Sequence, residues 1–89
     1  MREDIKKRAT RRLKIINGQI RGLEKMVEEE KYCIDIITQT EAIREALSSV
    51  RDLILQNHLL THLTHQMQNG EEKKATNEMM KVYKLIGKK

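Results

Sequence analysis

Apolar side chains recur at steps of three and four along most of the chain, which is the period of amphipathic α-helices. In the first such segment they are Ile5, Ala9, Leu13, Ile16, Ile20, Leu23 and Val27. The run Glu28–Lys31 is interpreted as a turn, and Asn69-Gly70 is a typical helix end. The pattern therefore predicts an all-α fold in one domain, residues 1–89, with helices over about residues 3–29, 32–69 and 71–86.

The second predicted helix is apolar on two sides, which is typical of a helix at the centre of a bundle. One near-heptad stripe comprises Ile36, Ile37, Thr40, Ile43, Leu47, Val50 and Ile54. A second apolar side comprises Leu53, Leu60, Leu63 and Met67. A lone chain of 89 residues buries only a modest core, so oligomerisation is an expected source of stability.

Cys33, His58 and His62 share one face of this second helix at about 100° per residue. A thiolate with two imidazoles is a soft metal-ligand set. His65 falls on the same face, and is a fourth ligand, a substitute for His62, or neither. The alternative for each residue taken singly is a structural cysteine or a surface histidine.

One continuous helix cannot bring Cys33 to His58, because 25 residues at about 1.5 Å each separate them by roughly 37 Å. No Pro or Gly lies between residues 23 and 69 to break the helix. We therefore predict that the helix runs antiparallel to its copy in a second chain. Cys33 of one chain would meet the histidines of the other, giving two equal sites about a two-fold axis near Ala46–Leu47.

The net charge of +5 is concentrated towards the chain ends. Residues 1–25 carry nine Lys/Arg against three acids, which indicates a polyanionic partner. An unbroken basic stripe without compensating acids at i+4 lies opposite the apolar stripe of the first helix, while Arg8 and Arg12 flank the apolar side. The stripe suits the phosphates of a nucleic acid such as DNA, and its alternative is a solvated face. Its members are Lys7, Arg11, Lys14, Arg21 and Lys25.

Composition excludes several classes of protein. A single cysteine rules out an internal disulfide and is typical of a reducing compartment. The charged N-terminus lacks a signal-peptide apolar region, and no apolar run has the length of a membrane span, so we expect a cytoplasmic protein without a membrane partner. No general acid–base pair accompanies Cys33, so we expect that the protein is not an enzyme.

Over nearly its whole length the chain resembles the family of copper-sensing repressors known as CsoR, which also contains nickel/cobalt-sensing and formaldehyde-sensing repressors. The resemblance implies that the first two helices pair into a four-helix dimer and that two dimers form a homotetramer. It also implies that operator DNA is bound without inducer and released when metal binds. The segments that carry it are Arg12-Leu13, Gly18-Gln19-Ile20-Arg21-Gly22-Leu23, Met26-Val27, Tyr32-Cys33-Ile34-Asp35, Asn57-His58-Leu59 and His62.

Residue by residue, the resemblance assigns the metal ligands to Cys33, His58 and His62. Tyr32 and Glu78 match positions beside the ligands that couple metal binding to DNA release. Arg12 matches a basic position implicated in DNA binding. The alternative for Glu78 is a surface acid that pairs with Lys74 or Lys81.

The chemistry of the ligand set favours Cu(I), because one thiolate and two imidazoles form a three-coordinate site. Many copper sensors have a second cysteine where this chain has His62, so Zn(II), Ni(II) or Co(II) stays an alternative. Nickel and cobalt sensors of the family add a histidine near the N-terminus, which this chain lacks. Formaldehyde sensors have proline where Arg2 stands, and persulfide sensors use two cysteines where this chain has one. A different class, a metal carrier without DNA binding, is disfavoured by the basic stripe.

Overall fold

The structure is a computed structural model that describes residues 1–87. Helices α1, α2, α3 and α4 comprise Glu3–Glu28, Cys33–His58, Thr64–Gln68 and Glu72–Gly87, and a π-helical segment, Leu59–Leu63, joins α2 to α3. These residues contain no β-strand, so the prediction of an all-α fold is confirmed. The second predicted helix is a helical run from α2 through α3 that changes its hydrogen-bonding pattern near its end.

The chain divides into two compact units, and the first, Met1–Gln56, is built from α1 and most of α2. Four residues connect the two helices, and the Arg12 guanidinium on α1 donates a hydrogen bond to the Ser49 carbonyl on α2 at 3.3 Å. The helices therefore form an antiparallel hairpin. Its core consists of Ile5, Ala9, Ile16, Ile43, Val50 and Leu53, with Leu23 and Ala46 packed against it.

The predicted main stripe of α2 is divided between two surroundings, which corrects the sequence interpretation. Ile43 and Val50 pack against α1 together with Leu53, which had been assigned to the other side. The remaining positions of the stripe include exposed side chains that lie on the same helical face as Cys33 and His58. We call this set the α2 seam: Ile37, Leu47 and Ile54, which are 57%, 45% and 39% exposed.

Both turns close the preceding helix in the same way. Glu30 has φ 52°, and the N–H groups of Glu30 and Lys31 donate to the carbonyls of Val27 and Met26. Gly70, at φ 73°, occupies the corresponding position after α3. A residue with left-handed backbone angles, with hydrogen bonds from the N–H groups after the helix to carbonyls of its last turn, is the Schellman motif that ends a helix. The Asn69-Gly70 signal had predicted the second of these helix ends.

The second unit begins at Asn57 and contains the end of α2, the π-helical segment, α3 and α4. Among the described residues of this unit, the buried ones are Asn57, Gln66 of α3 and Ala75 of α4. In the part of the chain that the structure describes, none of the helices combines the length and apolarity that a membrane span requires.

Candidate functional site

His58 and His62 lie beside each other at the point where the helix type changes. His58 is the last residue of α2, and His62 lies within the π-helical segment. The Thr61 hydroxyl donates to the Asn57 carbonyl at 2.7 Å, and the Thr64 hydroxyl reaches back five residues to the Leu59 carbonyl at 3.0 Å. The two imidazole rings meet edge to face, with centroids 5.4 Å apart.

Glu78 on α4 faces the His58 ring. Its Oε2 lies 3.5 Å from His58 Nε2, and the two side chains are 35% and 25% exposed. His58 Nε2 is buried without a hydrogen-bond partner, so Glu78 lies just beyond hydrogen-bonding distance. Among the described residues, Glu78 forms no ion pair with Lys74 or Lys81, so its neighbour is the histidine.

Gln66 completes this group, and sequence reasoning missed it. Its side chain is 7% exposed, and its Nε2 donates to the same Glu78 Oε2 at 3.2 Å. In an unbroken α-helix, eight steps would place Gln66 about 80° from His58. The π-helical segment takes up one additional residue, so Gln66 follows His58 by the equivalent of about seven α-helical steps, which return to nearly the same face.

These side chains line one cavity of about 290 Å³. His65 also lines it, but this ring is exposed and accepts a hydrogen bond from the Asn69 amide, with Asn69 Nδ2 2.9 Å from Nε2. The lining residues are His58, His62, His65, Gln66, Glu71, Lys74 and Glu78.

Cys33 is a free, exposed cysteine at the first residue of α2. Tyr32 precedes it with an exposed ring, and its carbonyl accepts hydrogen bonds from the amides of Asp35 and Ile36, which begins the helix. Because Cys33 and His58 are the first and last residues of α2, roughly 37 Å of helix separates them. Within residues 1–87 of one protomer, no group of three or more His, Cys, Asp or Glu side chains is placed to hold a metal ion.

The predicted DNA-binding side chains lie on α1 and most are exposed. Arg12 is half-buried by its contact with Ser49. Lys25 forms an i,i+4 ion pair with Glu29 at 3.8 Å, so the expectation that the stripe lacks a compensating acid is wrong at its last member. The others make no ion pair with any described residue: Lys7, Arg8, Arg11, Lys14 and Arg21.

The sequence profile of the metal-sensitive transcriptional repressors matches residues 5–85. The copper-sensing transcriptional repressor CsoR of Bacillus subtilis (strain 168) is 35% identical over 83 residues, which are 93% of this chain and 82% of that protein. The copper-sensing transcriptional repressor RicR of Mycobacterium tuberculosis (strain ATCC 25618 / H37Rv) is 43% identical over 60 residues, or 67% of this chain and 62% of RicR.

The fold agrees with these sequence matches. The crystal structure of the copper-sensing repressor CsoR with Cu(I) from Geobacillus thermodenitrificans NG80-2 superposes with a TM-score of 0.89 at 35% identity, covering 99% of this chain and 92% of that one. The matched proteins are transcriptional regulators, which confirms that the function is regulatory and not enzymatic. The chain therefore belongs to the family of metal-sensitive transcriptional repressors.

Proposed function

We propose that the protein is a Cu(I)-responsive repressor, which binds operator DNA in its metal-free form and releases it when Cu(I) binds. The site would consist of Cys33 from one protomer with His58 and His62 from its partner. The observation that carries the proposal is the adjacent pair of imidazoles, one of which has a buried Nε2 directed at a carboxylate. The copper-sensing names of the relatives support the choice of metal.

The donor atoms match the chemistry of Cu(I). A thiolate and two imidazoles are ligands that this soft cation accepts in a three-coordinate site. Because His58 Nε2 faces Glu78, the opposite ring nitrogen, Nδ1, is the one available to a metal. A carboxylate beside the second nitrogen of a ligating histidine fixes the orientation of the ring and raises its basicity.

The geometry of α2 supports a site shared between two chains. Its ends carry Cys33 and His58, and the α2 seam lies between them. A second α2 packed antiparallel on this seam would place a cysteine against a histidine pair at each end. The two-fold axis would pass near Ala46–Leu47, and both sites would be equivalent.

The exposed cations of α1 are the proposed contacts to DNA. Five of them lack an ion pair among the described residues, so their charges are available to neutralise phosphates: Lys7, Arg8, Arg11, Lys14 and Arg21. Arg12 would act differently, because its bond to Ser49 already ties α1 to α2. A repressor acts where its operator lies, so we expect the protein in the cytoplasm.

Coupling between the two sites requires that metal bind more tightly to the state with low DNA affinity. Cu(I), when bound, would supply the attraction that draws ligands of two protomers together. Within each protomer, Glu78 is placed to accept a hydrogen bond from the His58 ring, which would tie α4 to the end of α2. Helix packing would then depend on whether the ring is held, and the spacing of the basic side chains would follow.

Mixing two defective variants tests the shared site. Cys33→Ala protein and His58→Ala/His62→Ala protein each lack part of every site. After subunit exchange at equal concentrations, about half of the dimers are mixed and each holds one intact site, so the mixture should bind about one quarter of the wild-type metal. Wild-type metal binding combined with no binding by the mixture would show that the ligands come from a single chain.

A metal-by-metal titration of operator release tests the assignment of the cation. Cu(I) should release DNA at lower concentration than Zn(II), Ni(II) or Co(II), and His65→Ala should leave that release unchanged. A requirement for His65 with Zn(II) or Co(II) would favour a four-coordinate sensor instead. Metal binding without a salt-dependent operator shift would favour the carrier.

A further inference from the structure

Gln66 is a buried amide whose two ends differ. Its Nε2 donates to Glu78 Oε2 at 3.2 Å, whereas its Oε1 is buried without any hydrogen-bond partner. Buried polar atoms are nearly always paired, and the hydrogen bond that Gln66 makes is the one to Glu78. The oxygen that accepts it, Glu78 Oε2, is also the oxygen that faces His58.

Glu78 has an alternative ion-pair partner on its own helix. Lys74 lies one turn before it on α4 and lines the same cavity, and acid–lysine pairs four residues apart on a helix attract each other. Glu78 nevertheless lies beside His58, with the Gln66 amide on its Oε2. A neutral donor can hold a carboxylate in place while leaving its charge for the histidine.

We infer that Gln66 is a positioning residue: its amide holds the Glu78 carboxylate against His58 Nε2 and away from Lys74. The contact itself is independent of any ligand. Its regulatory consequence rests on the proposed function, because an oriented His58 ring presents Nδ1 to the metal. Loss of the amide should therefore weaken both metal binding and the release of DNA, although Gln66 is neither a proposed metal ligand nor a proposed DNA contact.

The first experiment is a double-mutant cycle with Gln66→Met and Glu78→Ala, read as Cu(I) affinity of the DNA-free protein. Gln66→Met should lower the affinity about threefold to tenfold, less than the roughly 10–100-fold typical when a direct partner of a ligand is removed. In the Glu78→Ala background the same substitution should have no further effect, because the interaction has already been lost. Additive losses would overturn the inference, because they would mean that Gln66 acts without Glu78.

Folding stability separates positioning from a packing role. Methionine has nearly the volume of glutamine and removes the unpaired Oε1, so Gln66→Met should unfold at the wild-type temperature or above it while coupling to DNA decreases. Gln68→Met, an exposed change of the same type on α3, is the matched control and should alter neither quantity. A variant whose stability and metal affinity fall together would favour a structural role and contradict the inference.

The contact can also be tested in metal-free protein, independently of the proposed function. In ¹H–¹⁵N spectra, the side-chain amide signals of Gln66 should shift in Glu78→Ala while those of Gln68 stay in place. The His58 ring signals should shift in Gln66→Met but not when Glu78 is already alanine. If the Gln66 amide signals do not respond to Glu78→Ala, the positioning role is wrong even if the protein proves to be a copper sensor. If they respond and the protein binds no copper, the proposed function fails instead.

Discussion

Leu47→Ala is the sharpest test of the dimer on which the shared metal site depends. Leu47 is the central member of the α2 seam and remains 45% exposed in the protomer. Complete burial of a leucine contributes about 1.5–3 kcal/mol, so covering the remaining surface is worth about 0.7–1.4 kcal/mol for each side chain. A two-fold axis near this residue would place two copies in one interface, and both would be truncated together.

The expected loss is therefore about 1.4–2.8 kcal/mol per dimer, which raises the dissociation constant roughly 10- to 100-fold. Sedimentation equilibrium of metal-free protein over a dilution series measures this shift. Glu45→Ala, an exposed change on the same helix outside the seam, is the control and should dissociate like wild type. Far-UV circular dichroism at high protein concentration should show that both variants keep their helices.

The same variant connects assembly to metal binding. All three proposed ligands remain in Leu47→Ala, so at concentrations where the dimer persists its Cu(I) affinity should match that of wild type. On dilution, metal binding should be lost together with the dimer. If Leu47→Ala dissociates at the same concentration as wild type, the seam does not pair across a two-fold axis and the antiparallel arrangement of α2 is refuted.

Three further predictions concern coupling, DNA affinity and the protomer core. Glu78→Ala should lower metal affinity roughly 10–100-fold, because His58 loses its direct partner while the proposed ligands remain, and should reduce the effect of metal on operator affinity, typically about 1–3 kcal/mol in such couplings, towards zero in a fluorescence anisotropy titration. Replacing Arg11, Lys14 and Arg21 by alanine should weaken operator binding and flatten its salt dependence by about one unit of slope for each lost phosphate contact, while metal affinity without DNA stays unchanged. Leu53→Ala, at a side chain that is 4% exposed, should cost about 2–5 kcal/mol of folding free energy, seen as a lower midpoint in urea unfolding, whereas loss below about 1 kcal/mol would contradict the proposed packing.

Periodicity predicted the helices and their ends because both depend on local chemistry. The step of three and four, and the Asn69-Gly70 signal, act within one or two turns. The sequence did not show in the same way which helix each apolar side chain packs against. Ile43 and Leu47 both belong to apolar faces, yet only Ile43 packs against α1, because the angle between two helices decides which positions are covered.

The candidate site was predictable where ligand chemistry carries the signal. Cysteine and histidine at one helical angle indicated Cys33, His58 and His62, and the family resemblance indicated Glu78. Gln66 had no such signal, since glutamine is common on helix surfaces and its angle was calculated for a uniform α-helix. The π-helical segment that alters this angle contains no Gly or Pro that would indicate an irregular turn in the sequence.

That π-helical segment also determines where the chain can change length. A deletion inside an α-helix rotates everything beyond it by about 100°, which would turn one helix face away from its neighbours. Here the segment Leu59–Leu63 contains one residue more than an α-helical turn needs. Deleting one residue from it, such as the half-exposed Leu60, would convert the segment to ordinary α-helix, and α3 would keep its orientation about the helix axis. Such a protein would fold with Gln66 still on the side of His58, but His62 would stand three residues from His58 rather than four. Chain length at this turn could thus alter the spacing between the imidazoles without disturbing the scaffold around them.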